Sequence, residues 1–466
     1  MIIILVFILA LALRLFLAPL GFHIDILSNA GWGQWIYLHG PLGFYENNIW
    51  TYSWPTQPPF VNLLYGFDNW LYIFILQFFR STGNTIVQYH LAPGHMRWWF
   101  NLTKWFDTAK TSDEAVFSIG YMVSIKILPI LADLGIAGII YKIAKNIKSV
   151  KYPIIWPAIY LFSPFSWYLS SLWGQYDQLG FLPVLAAFVL ESRKRVPWLT
   201  PFLFAISVAI KPTSLILAPL FVYLYFKNSH NKINPLLSIL LIGTFFIETT
   251  QVFTKQNLYN FTTNELYGKI FLKSASRLSA NAFNFWRIFV TSNTQTQDSK
   301  FLFIPAYIWS TLSYILLNLA AFKLIKKVTL ENVIKGMFII GAGSWMFMTN
   351  MLDRYFFGGV ASGLIFCIYD KKLFKYWLPV SLIFWLNLFN QWWFPDFLSP
   401  LRIVMIWNNG LFTKILSGTN VVLFMAMFIR IINYDPKNIN NLGSSSGWNL
   451  FGLLSGHKNQ YSSDRK

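Results

Sequence analysis

The chain has 466 residues, of which 55% are hydrophobic and only 12% are charged. Soluble domains carry about 25% charged residues, so this composition excludes a soluble multidomain enzyme and a disordered protein. The single cysteine, Cys367, excludes a disulfide scaffold and a cysteine metal site within one chain. A net charge of +19 would suggest nucleic-acid binding in a soluble protein, but the positions of the basic residues indicate membrane topology and no nucleic-acid partner.

Apolar blocks of membrane-spanning length recur along the chain. The first block, 1–20, has no basic leading segment and no small-residue cleavage site, so we expect a retained helix rather than a signal peptide. The composition predicts an all-α, polytopic membrane protein of about 10–13 transmembrane helices, each needing about 20 apolar residues, in a single domain, 1–434. Further predicted spans are 117–141, 153–171, 178–191, 199–210, 212–226, 233–252, 301–322, 334–350, 355–369, 376–392 and 414–434.

Short basic segments fix the expected orientation of these spans. More than half of the 37 Lys and Arg residues fall in six segments that the positive-inside rule assigns to the cytoplasm, together with both termini. The segments are 142–151, 193–195, 227–232, 323–335, 371–375 and the tail from Arg430.

Three outer regions follow from this orientation. They are a long first loop, 21–116, a second, 253–300, and a third, 393–413, and their many aromatic residues suit work at a membrane surface. Within the first loop we expect an interfacial helix at 60–79, with a further span as the alternative. The segment 199–226 is either one broken re-entrant element or one helix kinked at Pro212. The tail, 435–466, predicts a disordered cytoplasmic segment.

Charged residues near a bilayer are costly and are therefore functional candidates. Asp25, Asp177, Lys211 and the pair Asp353-Arg354 all fall on the outer side of the predicted topology, although that topology was drawn from the basic loops alone. Each has a plainer explanation, such as a helix boundary, a snorkelling lysine or a surface ion pair. Their common side favours a single site.

Lys126 and Asp133 lie inside the span 117–141, seven residues and so two helical turns apart. We expect a structural charge pair that anchors the helix bundle.

Motifs for other chemistry are missing from the sequence. It has no G-x-x-x-x-G-K-[ST] loop and no HExxH helix, so it indicates neither nucleotide-driven transport nor a zinc hydrolase. We expect no cofactor and no metal, with a divalent ion between Asp25 and Asp177 as the alternative.

Seven segments in order resemble the GT-C superfamily of integral-membrane glycosyltransferases. More narrowly, they are similar to bacterial and archaeal relatives of the GPI-anchor mannosyltransferase that adds the second mannose. One difference stands out, because Leu352-Asp353 occupies the place of the family's His-Glu, which puts proton transfer by that pair in doubt. The segments are IDILSNAGWGQWIYLHGPLGFYE (24–46), TQPPFVNLLY (56–65), KILPILADLGIAGIIYKIAK (126–145), SLWGQYDQLGFLPVLAAF (171–188), AISVAIKPTSLILAPL (205–220), LSANAFNFWRIF (278–289) and MTNMLDRYFFGGVA (348–361).

The resemblance implies an inverting transferase that moves a hexose, with mannose expected, from a polyprenyl-phosphate donor to a hydroxyl of a lipid or glycan acceptor at the outer face. The acceptor must lose a proton, and Asp25 is the expected base. A phosphate leaving group needs cations rather than an acid, and the expected cations are Arg354, Lys211 and Arg14. The expected sugar or acceptor contacts are Asp177, Gln175, Trp173, Trp32, Tyr355 and Asn281.

Such a protein would be a multi-pass protein in contact with membrane lipids, in the plasma membrane of a prokaryote or the endoplasmic reticulum of a eukaryote. Two alternatives remain open. A transporter or flippase of lipid-linked sugars would also have many spans and broken helices. A ligase or polymerase of lipid-linked glycans would share the donor chemistry.

Overall fold

A computed structural model of the chain describes residues 2–21, 23–47, 50, 53–81, 119–228, 233–271, 276–290, 295–392, 394–395 and 398–434. The predicted disordered tail, 435–466, and the first outer loop from 82 to 116 lie outside these residues. Within them the expectation of an all-α chain is confirmed, because the strands form only one hairpin of two two-residue strands.

The helices follow the apolar blocks closely. The longer helices are α1 (Ile2–Leu17), α2 (Ile24–His39), α3 (Pro59–Ser81), α4 (Ile119–Lys145), α5 (Ile155–Phe162), α6 (Asp177–Ser192), α7 (Leu199–Ile210), α8 (Ala218–Lys227), α9 (Ile233–Gln251), α10 (Ala306–Leu324), α11 (Leu330–Phe347), α12 (Phe357–Tyr369), α13 (Phe374–Trp392) and α14 (Ser399–Ile432); the hairpin strands are β1 (Lys300–Phe301) and β2 (Ile304–Pro305).

Three helices of the described chain are long and apolar enough to cross a membrane. They are Gly120–Lys145, Ile233–Gln251 and Gly410–Ile432. The chain is therefore compatible with a membrane protein, while the expected 10–13 spans and the cytoplasmic termini stay predictions.

The centre of the molecule is the pair α11 and α12, which is apolar and buried on nearly all sides. A helix that is apolar all round belongs in a core. Glycines let these two helices approach closely, since a Cβ at Gly359 would lie 2.7 Å from the Cα of Ala342. The Asp353-Arg354 turn lies in the connection between these two helices.

Helices break at the places where the sequence concentrates charge. The segment between α5 and α6 continues as a short turn, Pro164–Trp167, and a π-helix, Tyr168–Trp173, and then ends at Gly174, whose φ is +77°. π-helical turns are rare and often occur at functional sites. The segment 199–226 is broken rather than kinked, because Lys211 is extended (φ −141°, ψ 101°) between α7 and a 3₁₀ turn, Pro212–Leu217.

In the segment 21–116, the predicted helix at 60–79 is present as α3, and α3 packs along α2. His23 caps α2 through its Nδ1 atom, which accepts a hydrogen bond from the Asp25 N–H at 3.1 Å. The cap fixes Asp25 in the first turn of α2, where the positive end of the helix dipole stabilises a carboxylate.

The predicted Lys126–Asp133 pair is wrong. Asp133 pairs with Arg14 of α1 at 3.0 Å, and both side chains are fully buried. The Lys126 ammonium instead donates to three backbone carbonyls. A sequence spacing of seven residues places both groups on one face of α4, but the neighbouring chain segments supply partners at shorter distances.

Candidate functional site

Four chain breaks bring charged side chains together at one end of the bundle. Asp25 lies in the first turn of α2 and Asp177 is the first residue of α6. Lys211 occupies the extended break after α7. Arg354 lies in a 3₁₀ turn, Asp353–Phe356, immediately before α12. Each group therefore comes from the end of an element, where the backbone turns and a side chain projects past the helix.

Asp25 is the open group of this set, with 37% of its side chain exposed. Its Oδ2 atom accepts a hydrogen bond from Gln175 Nε2 at 2.7 Å and lies 3.4 Å from His23 Nδ1. Burial raises the pKa of Asp25, but the neighbouring His23, the positive charge of Arg354 and the hydrogen bond from Gln175 outweigh it and hold that pKa well below its usual range. Asp25 is thus an ionised, accessible carboxylate at neutral pH.

Asp177 sits between the two cations of the site. Lys211 Nζ donates to its Oδ2 atom at 3.0 Å, and Arg354 Nε lies 3.9 Å from the same oxygen. Only 6% of the Asp177 side chain is exposed, so it offers little surface to a substrate. We conclude that Asp177 fixes the two cations in place.

Arg354 is held on its faces by aromatic rings. Its guanidinium carbon lies 5.6 Å from the ring centre of Trp173 and 5.9 Å from that of Tyr355. Contacts at these distances are cation–π interactions, which favour a charged guanidinium at this position. Its carboxylate neighbours, at 3.8 Å for Asp353 and 3.9 Å for Asp177, are beyond ordinary hydrogen-bond length.

Asp353 lies behind the arginine. Burial raises the pKa of Asp353 from its usual 3.8 to about 6, although the positive charge of Arg354 opposes the rise. Its Oδ1 atom accepts the Arg354 N–H at 2.9 Å. Within the described residues its Oδ2 atom, Arg354 Nε and Trp173 Nε1 are buried and have no hydrogen-bond partner. Buried polar atoms are normally paired, so this corner has unused capacity to bind a polar ligand.

These contacts form a closed ring that includes Asp25. Each member is linked to the next by a hydrogen bond, an ion pair, an aromatic contact or, for Gln175 and Asp177, by the short stretch of backbone between them. The ring runs through Asp25, Gln175, Asp177, Arg354, Trp173 and His23.

A cleft lies beside the ring, between α6, the 3₁₀ turn after Lys211 and the start of α12. Its charged wall is formed by Asp177, Lys211 and Arg354, while Phe181 and Ile216 belong to its apolar wall. The cleft therefore offers cations at one place and an apolar surface beside them, which suits an amphiphilic anion.

Several expected site residues meet in this ring and cleft. Asp25, Gln175, Trp173 and Asp177 do so, as do Lys211, Arg354 and Tyr355.

Arg14 does not join them, and its expected role as a donor-phosphate ligand is corrected. It is fully buried, pairs with Asp133 and donates to Ser166 Oγ at 2.7 Å. A guanidinium with these partners and no exposed surface is a structural group of the bundle.

Trp32 and Asn281 also lie apart from the ring. Trp32 is two turns further along α2, where its Nε1 atom donates to the carbonyl of Ser53 at 3.2 Å. Asn281, with a φ of +66°, forms a bridge to Leu352, next to Asp353. Its contribution is to brace the turn that carries Arg354.

Two aromatic residues of the site were missed in the sequence. His23 contacts Trp173 with ring centres 4.9 Å apart, and Trp392 at the end of α13 contacts His23 at 5.5 Å. The signal for His23 was its place two residues before Asp25, where a side chain can cap the following helix. Nothing in the local sequence marks Trp392.

The described residues contain no cluster of three or more His, Cys, Asp or Glu side chains that could hold a metal ion. Comparisons with protein-family models and with curated proteins find no match to this chain. The functional proposal therefore depends on the geometry of the site and on the sequence resemblance.

Proposed function

We propose that the chain is an integral-membrane glycosyltransferase of the GT-C type, which moves a hexose, mannose in the first instance, from a polyprenyl-phosphate donor to an acceptor hydroxyl with inversion. The observation that carries the proposal is the ring itself. It brings an accessible carboxylate, Asp25, together with Arg354, and Arg354 lines a partly apolar cleft with the second cation, Lys211.

The carboxylate suits the acceptor side of the reaction. Asp25 is ionised and accepts a hydrogen bond from the attacking hydroxyl, whose oxygen forms the new bond to the anomeric carbon. Gln175 holds Oδ2 at 2.7 Å, which fixes the direction of the carboxylate. The proton passes to Asp25 as the C–O bond forms, and its low pKa returns that proton to solvent afterwards.

The cations suit the leaving group. As the bond between the anomeric carbon and the phosphate oxygen breaks, its electron pair stays on the phosphate, and the added negative charge requires fixed positive charge nearby. Arg354 offers a planar fork of donors and Lys211 a point charge. Asp177 holds both cations before the substrate arrives, so little reorganisation is needed when it binds.

The cleft suits a lipid-linked donor. A polyprenyl phosphate has an anionic head and an apolar tail, and the cleft places Arg354 and Lys211 beside Phe181 and Ile216. A water-soluble nucleotide sugar would leave that apolar wall unused. We further propose a multi-pass topology with both termini in the cytoplasm and the ring at the outer face, as the basic loops indicate.

Sugar transfer by the purified protein tests the proposal. The protein in proteoliposomes is mixed with radiolabelled polyprenyl-phosphate mannose and a lipid extract of the source cells. Wild type is expected to move label to a new product, while Asp25→Asn is expected to lose transfer by about 100-fold or more, the usual scale for losing a positioned base. Asp298→Asn, an exposed carboxylate on the second outer loop, is the matched control and should transfer normally.

The same vesicles separate the alternatives. Transfer by wild type that survives in Asp25→Asn would contradict the assigned base. Translocation of the donor across sealed vesicles with no transferred label would replace the transferase with a transporter. The identity of the labelled product separates a simple glycosyltransferase from a ligase or polymerase of lipid-linked glycans.

A further inference from the structure

Lys126 lies in the middle of the structure with an unusual set of partners. Its side chain is fully buried in α4. The ammonium donates to the carbonyls of Ala18 at 2.6 Å, Gly21 at 2.7 Å and Leu172 at 2.7 Å. Three short bonds use all three protons of the ammonium, so it has no proton left for a ligand.

The three carbonyls belong to two chain ends that lead into the site. Ala18 and Gly21 follow the C-terminus of α1, and Asp25 comes four residues after Gly21. Leu172 lies at the end of the π-helix, and Gln175 comes three residues later. Carbonyls at helix C-termini carry partial negative charge and lack partners within the helix. The buried ammonium therefore joins the two ends by satisfying both.

The surrounding backbone is fitted to the lysine stem. Gly174 has a φ of +77°, and a Cβ there would lie 2.9 Å from Lys126 Cγ. A Cβ at Gly21 would lie 2.5 Å from the Leu172 carbonyl oxygen. Both glycines are thus needed for the close approach of the two chain segments at this point.

We propose that Lys126 is a positioning residue that sets the register between the Asp25 segment and the Gln175 segment. It touches neither carboxylate directly. By fixing the two backbones at 2.6–2.7 Å from one ammonium, it holds Asp25 and Gln175 at their 2.7 Å contact. The donor cations, Lys211 and Arg354, are carried by other elements, and the three bonds of Lys126 reach neither of them.

Lys126→Met tests this role, because methionine keeps much of the stem volume and removes the three bonds. With the proposed transfer reaction as the assay, we expect kcat to fall by about 100-fold, the scale of a misplaced reactive group. The KM for the polyprenyl-phosphate sugar should change by less than about threefold, since Lys126 bonds to neither cation. Gly174→Ala should give the same split in kinetic constants, because its Cβ displaces the lysine stem.

Lys335→Met is the matched control. Lys335 is also a buried lysine, paired with Glu331 at 2.9 Å in α11, and it makes no contact with the Asp25 or Gln175 segments. This variant should keep wild-type kcat. If it loses kcat as much as Lys126→Met does, general loosening of the bundle explains the effect and the positioning role is overturned.

Because the catalytic consequence rests on the proposed function, hydrogen exchange supplies a readout that needs no activity. Peptides covering 18–26 and 170–178 should lose protection together in Lys126→Met and keep it in Lys335→Met. Loss of protection without loss of kcat would overturn the positioning role. An inactive wild type with the expected exchange pattern would overturn the transferase and leave the register assignment standing. Unchanged protection in Lys126→Met would overturn the register assignment whatever the activity.

Discussion

Asp353 is a carboxylate whose burial should be visible as a pH-dependent cost to folding. Its pKa is raised from 3.8 to about 6 in the folded chain, so above pH 6 both states carry the charge and the folded state bears the full penalty. Each pKa unit is worth 1.36 kcal/mol, which makes that penalty about 3 kcal/mol. Asp353→Asn removes it, because the amide is neutral and its oxygen can still accept the Arg354 N–H bond.

The sign follows from proton linkage. A raised folded pKa means that the native state binds the proton more tightly, so wild type gains stability as the pH falls through 6 towards 4. The Asn variant lacks this gain. At pH 7.5 the variant should be favoured by the full penalty, and at pH 4.5 its advantage should be about 2 kcal/mol smaller.

Equilibrium unfolding in mixed detergent micelles at pH 7.5 and 4.5 measures this change. The stability gap is the difference in free energy of unfolding between the variant and wild type at one pH. A pH-independent effect of the substitution, such as a poorer hydrogen bond to Arg354, cancels in the comparison. Asp298→Asn, at an exposed carboxylate, should show no change in its gap to wild type. A gap for Asp353→Asn that is equal at the two pH values, or larger at pH 4.5, would refute the account of its burial.

Two further substitutions test the cations. Arg354→Lys keeps the charge but loses the planar fork beside Trp173, so kcat for transfer should fall by about 100-fold. The control Arg277→Lys, at an exposed arginine, should stay active. Equal rates for the two variants would show that Arg354 does not bind the leaving group. Arg14→Met leaves Asp133 buried without its counter-ion, which should cost about 3–5 kcal/mol in equilibrium unfolding. Adding Asp133→Leu should recover much of that loss, and a double variant as unstable as the single one would contradict the pair.

The meeting of Asp25, Asp177, Lys211 and Arg354 could be predicted from the sequence. Charged residues are expensive near a bilayer, so their few positions carry information, and the basic loops placed all of them on one side. Their pairing could not be predicted in the same way. That Asp177 serves as the common counter-ion of Lys211 and Arg354 depends on which helix ends are neighbours, and no local pattern encodes this.

The buried charges of α4 show why sequence reasoning fails at this step. Lys126 and Asp133 share a helix face, and over seven residues at 1.5 Å each their Cα atoms stand about 10 Å apart. Arg14 from α1, and the backbone carbonyls at the ends of α1 and the π-helix, come closer than that. Spacing along one helix describes what could pair, whereas helix packing decides what does.

His23 and Trp392 illustrate a second gap. His23 acts through the exact starting point of α2, and element boundaries are the least certain feature of a sequence-based prediction. Trp392 reaches His23 only because α13 ends beside the π-helix. By contrast, Lys211 was recognisable, since Pro212 marks the helix break at which it lies.

The net charge of the site bears on donor binding under the proposed function. With Asp25, Asp177 and Asp353 ionised against Lys211 and Arg354, the group carries one excess negative charge, and a donor phosphate adds another. The pKa of Asp353 is about 6, and a nearby anion raises such a pKa further. A donor phosphate at Arg354 would therefore favour the protonated form of Asp353, which lies 3.8 Å from the same guanidinium, and would leave that cation to the phosphate.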